Sequence, residues 1–329
     1  MKRKNIILTL VLAMIFALVF GACGAAGLED LEDLMGQTSG SEGHEGSEGI
    51  GGTYTVSFNG RGGTWDGSSS MRITNVEHGA TIEAPVSPTS GYGAFDKWYS
   101  NYDRTTEFIF GSEGTPVTSN IVLNASWIPT YELGAKGPGG GFIYYRWEPG
   151  FAVDGYGNPG DANYFERYRA YYLEAAPANI APTRTWAPRT SPAYDFVPGL
   201  VIGSDDLSFW GAGGGRKSTA IILASVTNPA TNAPAAHACN TYGAPNDWYL
   251  PNATDLYHLF LFNVGARQGL YPGLITGLGE DGLWYWTSSQ HSASNYAYCV
   301  SFDNRVTWTG FAGALKDGSN RYIRPVRAF

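Results

Sequence analysis

"NDWYLPNATDLYHLF", residues 246–260, decides how the second half of this chain folds. Its aromatic residues and charged helix start could belong to a binding site or to scaffold. Pro251 cannot donate to a sheet ladder and stops the preceding strand. Asn252 then serves as N-cap, and Asp255, three residues on, reaches back to the cap's own amide as a capping-box variant. Leu256, Leu259, Phe260 and Asn263 follow at helical spacing, the first three as a core stripe. Trp248 and Leu250 alternate inward before the helix. The stretch reads as a buried strand turning into a capped helix, and therefore as scaffold.

Working outward, the same half carries "LGAKGPGGGFIYY", "YYLEAAPANI", "TWAP", "GRKSTAIILAS", "AAHACNTYG", "YWTSS" and a terminal "YIRPVRAF". In this order the segments resemble a bacterial surface-domain family with a C-type-lectin-like fold. That family includes the C-terminal domain of the Legionella collagen-like adhesin and is distantly related in fold to the formylglycine-generating enzymes. Asn252, Asp255 and Thr287 stand where the family pattern has Ser, Glu and Ser, and the segment Asp154–Arg169 is a longer insertion. The resemblance covers nearly all of residues 129–329.

Before it, "TYTVSFN" puts Tyr54, Val56 and Phe58 on one face of a half-buried strand, and "IVLNASW" repeats the device with Ile121, Leu123, Ala125 and Trp127. "GRGGTWDG" is a Gly-rich turn and "FDKWYS" a further aromatic strand. The order "YTVSFNGRGGT", "VEHGATIEAPVSPTSGYGAFDKWYS", "NIVLNASW" resembles the Listeria–Bacteroides (internalin B-type) repeat, with Gly93-Ala94 inserted before Phe95. The resemblance implies a small β-grasp-like module of the kind found as a spacer or weak interaction unit on surface proteins. Trp98 and Trp127 are expected to be core anchors. The fold class expected for the whole is α+β: a β-grasp-like repeat domain at 53–128, then a C-type-lectin-like domain at 129–329.

The N-terminus predicts an address. Lys2, Arg3 and Lys4 precede an apolar run, Asn5–Phe20, that is short for a membrane span, and small residues lead to Cys23. The pattern resembles the lipobox of bacterial lipoproteins, with Phe20 where Leu is usual. It implies a signal peptide over 1–22, lipidation at Cys23 and a cell-envelope location on a membrane. Residues 24–52 hold no Lys or Arg and are rich in Gly, Ser and Glu, so 23–52 reads as an acidic tether.

Loss of residues 1–22 removes three positive charges and no acidic ones, leaving 18 Lys and Arg against 29 Asp and Glu, a formal charge of −11. Such a surface repels phosphate backbones, so nucleic acid is excluded as a partner. With Cys23 assigned to lipid, Cys239 and Cys299 remain as a disulfide candidate in an oxidising compartment, the alternative being two buried free thiols.

Three motifs invite chemistry and fall short of it. "WGAGGGRKST" (210–219) mimics a phosphate loop, but Arg216 occupies the place of the Gly that must precede Lys-Ser/Thr. "GPGGG" (137–141) reads as a tight turn entering strand Phe142–Trp147. Asp154, Asn158 and Asp161 offer calcium the oxygen donors it prefers, yet Tyr156 sits where an EF-hand needs oxygen, so a polar turn is the better reading. No cofactor is expected. The histidines form no HExxH, no Gly-x-Ser-x-Gly is present, and no catalytic role is predicted.

The remaining functional candidates lie on the loops of the last third: Gln290, His291, Asn295, Tyr296, Asn304, Arg305 and Trp308, which combine aromatic bodies with adaptable polar tips. The sequence therefore predicts a lipid-anchored surface binding protein, an adhesin for a protein or glycan ligand. A structural envelope lipoprotein, a variable display protein and a formylglycine-generating-type oxidase are the alternatives.

Overall fold

The computed structural model describes residues 52–200, 211–243, 247–270, 278, 283–302, 310–318 and 321–329. The signal, Cys23 and tether expectations lie outside the described residues, as do Asn304, Arg305 and Trp308. Among the described residues no helix is long and apolar enough to cross a membrane.

The first sheet grows from the alternating strands read in the sequence. β1 (Thr53–Asn59), β2 (Ser70–Glu77), β3 (Gly93–Tyr99) and β4 (Ile121–Pro129) take the order β2-β1-β4-β3. β1 and β4 run parallel with Val56 opposite Ile121 and Phe58 opposite Leu123, while the outer pairs are antiparallel. Val56, Phe58, Leu123, Ala125, Trp98 and Trp127 are all buried, so the inward faces and both tryptophan anchors are as expected. β2 was missed, because "SMRITNVE" shows only weak alternation beside a Gly-rich turn.

Among the described residues two further sheets and four α-helices follow. β5 (Phe142–Val153) and β6 (Tyr168–Ala175) form a hairpin, and the C-terminal β10 (Val326–Ala328) pairs with β6. β7 (Trp284–Gln290), β8 (Tyr296–Ser301) and β9 (Gly310–Leu315) make an antiparallel meander. Between the two sheets run α1 (Gly215–Ala224), the single turn α2 (Pro229–Asn232), α3 (Pro234–Asn240) and α4 (Ala253–Arg267). The chain is thus mixed and strand-rich with a few helices, an α+β arrangement.

α4 starts as its sequence dictates. Asn252 accepts from the Asp255 amide at 2.8 Å, and Asp255 accepts from the Asn252 amide at 3.1 Å, which closes the capping box. Leu256, Leu259 and Phe260 then enter the main core with Tyr249, Tyr285 and Phe302.

Ile50–Phe329 cluster as one compact unit. Within it the first sheet's core continues into the second sheet through Ile143 and Tyr172. Tyr172 stacks on Tyr92 with ring centroids 5.5 Å apart and donates its hydroxyl to the Tyr92 carbonyl. Glu148, inside β5 where its register with β6 shifts, pairs with Arg104 at 2.6 Å and with Arg61 at 3.4 Å.

The disulfide expectation is corrected. Cys239 on α3 and Cys299 on β8 lie in the same apolar cluster as buried free thiols. The Cys299 thiol donates to the Ala312 carbonyl across the sheet instead. Burial pushes both thiols above their ordinary range, which disfavours the thiolate that disulfide exchange requires.

Candidate binding site

The glycine-rich motifs bind anions, but the anions belong to the protein. The amides of Gly139 and Gly141 in "GPGGG" donate to Glu174 at 3.1 and 2.6 Å. A Cβ on Gly141 would lie 2.2 Å from the Ala175 carbonyl, so only glycine permits that approach. Glu174, from "LEAAP", is fully buried, and its carboxyl is pushed up by burial while the two amides and Arg327 pull it back. The phosphate-loop mimic behaves alike: Gly213 donates to Asp255 at 2.7 Å, and the Gly215 amide also faces that carboxylate. One buried side chain thus caps α4 and occupies the start of α1, where a phosphate would otherwise sit.

The residues chosen from sequence as a ligand face separate on inspection. Gln290 is buried, and its Oε1 accepts from the Val197 amide at 2.8 Å and the Lys316 ammonium at 3.3 Å. From Tyr285 to Gln290 every residue of β7 is buried, so both faces of this strand are covered and alternation marks no outward side. His291, Asn295 and Tyr296 do come together, at the β7–β8 turn. His291 Nδ1 accepts from the Ala293 amide at 2.9 Å, and its ring packs near Tyr296 and Tyr298 at 5.7 and 4.9 Å. All three are half-buried.

The calcium candidates do not converge. Asp154 faces Arg167 and Lys217, each at 3.6 Å, and Asp161 accepts from the Asn158 amide at 2.8 Å within a local turn. Among the described residues no group of three or more His, Cys, Asp or Glu side chains is placed to hold a metal.

A cleft of about 240 Å³ opens elsewhere, lined by the 154–169 loop, α1, α3 and the extended segment entering α4, where Tyr249 makes a single bridge to Val326 rather than a strand. Asn163, Tyr164 and Phe165 line it from the loop, Arg216 and Ala220 from α1, Asn240 from α3, and Trp248 and Tyr249 from the segment before α4. Arg216 lies over the rings of Phe165 at 4.3 Å and Tyr168 at 5.0 Å. Such stacking orients the guanidinium while leaving in-plane N–H groups available. Among the described residues Arg216 makes no ion pair, unlike its neighbour Lys217. Tyr249 is 1% exposed, and its hydroxyl has no hydrogen-bond partner among the described residues. Its charged and phenolic neighbours are Asp255, Tyr144, Tyr168 and Arg216.

Sequence reasoning missed this cleft as a site, and the missed signal was departure from pattern. The loop is the segment that the sequence resemblance leaves as an insertion, and Arg216 is the residue that spoils the phosphate-loop pattern.

Residues 54–126 match the family model of the Listeria-Bacteroides repeat domain. No curated protein is similar enough to the chain to count as a match.

Proposed function

We propose that this chain is a lipid-anchored cell-surface binding protein, an adhesin-type molecule whose C-type-lectin-like segment, residues 129–329, recognises an external ligand. Cys23 carries the lipid, residues 24–52 act as the tether, and the repeat segment sets the head away from the membrane. The match at 54–126 supports a surface setting, since repeats of this kind resemble spacers on surface proteins.

One observation carries the reading: the motif carboxylates Glu174 and Asp255 are held by backbone amides, while Arg216 in the cleft has no anionic partner among the described residues. A half-buried cation on aromatic rings, flanked by two amide side chains, is a composition suited to recognition.

The test is a binding screen of the full chain against glycans and extracellular-matrix proteins, with calcium and with chelator. Saturable binding that Arg216→Ala removes, and that the His291→Ala/Tyr296→Ala pair leaves intact, supports the reading and places the site. Binding lost only in the His291/Tyr296 pair moves the site to the β7–β8 turn. Silence from a folded chain overturns the reading in favour of a structural envelope lipoprotein.

A further inference from the structure

We infer that the Arg216 cleft captures the C-terminal residue of a peptide, its terminal carboxylate on the Arg216 guanidinium. This rests on the binding-protein reading and names the ligand class of the same site.

Size sets the first limit. A cleft of about 240 Å³ is smaller than the ~300–1,000 Å³ typical of pockets for drug-sized ligands. It takes one residue of a chain rather than a large compound.

Charge sets the second. The chain carries a formal charge of −8, so repeated anions such as acidic polysaccharides or nucleic acids are repelled over most of its surface. A peptide terminus brings a single carboxylate, and Arg216 is the cation among the described residues that line the cleft. The guanidinium fork matches a carboxylate in the bidentate geometry that gives strong charge-assisted bonds. Its flat face lies over Phe165 and Tyr168, and part of its edge bonds the Tyr168 side chain, so the remaining N–H groups are what the ligand meets.

The remaining polar groups complete the fit. The Tyr249 hydroxyl, buried with no hydrogen-bond partner among the described residues and with Asp255, Tyr144, Tyr168 and Arg216 as neighbours, supplies a further donor to the same anion. A buried donor left unpaired is costly, and an incoming carboxylate relieves that cost. Asn163 from the loop and Asn240 from α3 line the cleft, and an Asn side chain offers both an amide donor and an acceptor, the complement of the N–H and C=O that precede a peptide's last residue. Phe165, Ala220 and Trp248 leave apolar wall for its side chain. At the rim, Tyr164 donates to Glu166 at 3.0 Å, so a ligand with a second negative charge meets repulsion there.

The experiment titrates the full chain with acetyl-Ala-Leu bearing a free carboxylate, the same peptide as its C-terminal carboxamide, and D-glucuronate. Binding is read by ligand-observed NMR. The expected result is affinity for the acid about ten-fold or more above the amide, with glucuronate weaker than the acid. Arg216→Gln should bring acid and amide to parity, and Arg216→Lys should restore only part of the gap because the fork is gone. Retained amide binding shows that each variant is folded. Equal affinity for acid and amide, tighter binding of glucuronate, or an unchanged acid preference in Arg216→Gln overturns the inference. If the peptides fail while another ligand binds through Arg216, this inference alone falls. If no ligand binds a folded chain, the broader reading falls with it.

Discussion

Arg327 places one guanidinium nitrogen 2.6 Å from Asp247 Oδ2 and the other 3.7 Å from Glu174 Oε2. Its charged head also lies 5.2 Å from the Phe329 ring and 5.9 Å from that of Trp248. One side chain therefore ties together "DWYLP", "LEAAP", "GPGGG" and "VRAF". In this chain the four segments are parts of a single buried polar network.

Arg327→Ala leaves Asp247 and the fully buried Glu174 without their cation. Breaking such a pair from one side costs about 3–5 kcal/mol, far more than removing an exposed pair. Urea unfolding at pH 7 measures it, and a loss below about 1 kcal/mol would place the pair with solvent-exposed bridges.

Asp255 makes stability depend on pH. Burial raises its carboxyl from 3.8 to about 7, against the pull of the Gly213, Asn252 and Gly215 amides. The folded value lies above the unfolded one, so the folded state holds a proton that the unfolded state has released. The contribution is complete below pH 3.8 and is lost as pH rises through about 7. At 1.36 kcal/mol per pH unit the full effect is on the order of 4 kcal/mol. Asp255→Asn should flatten this part of the stability profile between pH 4 and 7; a profile parallel to that of the native chain would show that Asp255 does not titrate there.

The capping box at Asn252 and Asp255, the core stripe and both tryptophan anchors were legible because each depends on spacing within a few residues. Gln290 was misread for the opposite reason. Whether a polar residue on a strand faces water depends on what covers the sheet, and here Lys316 and Val197 arrive from distant segments. Glu174 showed no local sign that two glycine amides would hold it. The cleft was equally hidden, since an inserted loop and a helix meet there only through the fold.

Free thiols at Cys239 and Cys299 predict chemistry as well as geometry. Burial raises both thiols, so an aromatic disulfide reagent should leave them untouched in the native chain. In denaturant both should react without prior reduction. If they react only after a reductant is added, the two sulfurs are bonded.

Tyr92 and Tyr172 join the first sheet to the second, with their rings nearly parallel at 2°. Tyr92→Ala removes a buried ring and the stacking surface of Tyr172, a change worth about 3–5 kcal/mol by analogy with other buried aromatics. Because the core is continuous through Ile143 and Tyr172, calorimetry of residues 53–329 should show one transition, and the substitution should lower it as a whole. Two separate transitions, with only the first displaced, would mean that the repeat segment unfolds independently.

Lys316 offers the most demanding test, because its charge is buried without a carboxylate in contact among the described residues. Its ammonium donates to the carbonyls of Asp195 at 2.7 Å and Ala193 at 3.0 Å, and to Gln290 Oε1 at 3.3 Å. It also lies 4.6 Å from the Trp186 ring. Burial lowers its pKa from 10.5 to about 8, with Asp195 acting weakly the other way. The folded value is below the unfolded one, so between these limits the unfolded chain binds more protons and stability rises with pH. Buried tyrosines shifted upward act in the opposite sense at higher pH, so the readout is the difference between the native chain and Lys316→Met. Near pH 7 the variant loses three hydrogen bonds but also sheds the cost of a buried charge, and its net change should be small. From pH 8 to 10.5 the native chain should gain on the variant by up to about 3 kcal/mol, at 1.36 kcal/mol per pH unit. A constant difference across that range would mean that the ammonium keeps its ordinary affinity for protons, and that the carbonyl cage with Trp186 fully compensates its burial.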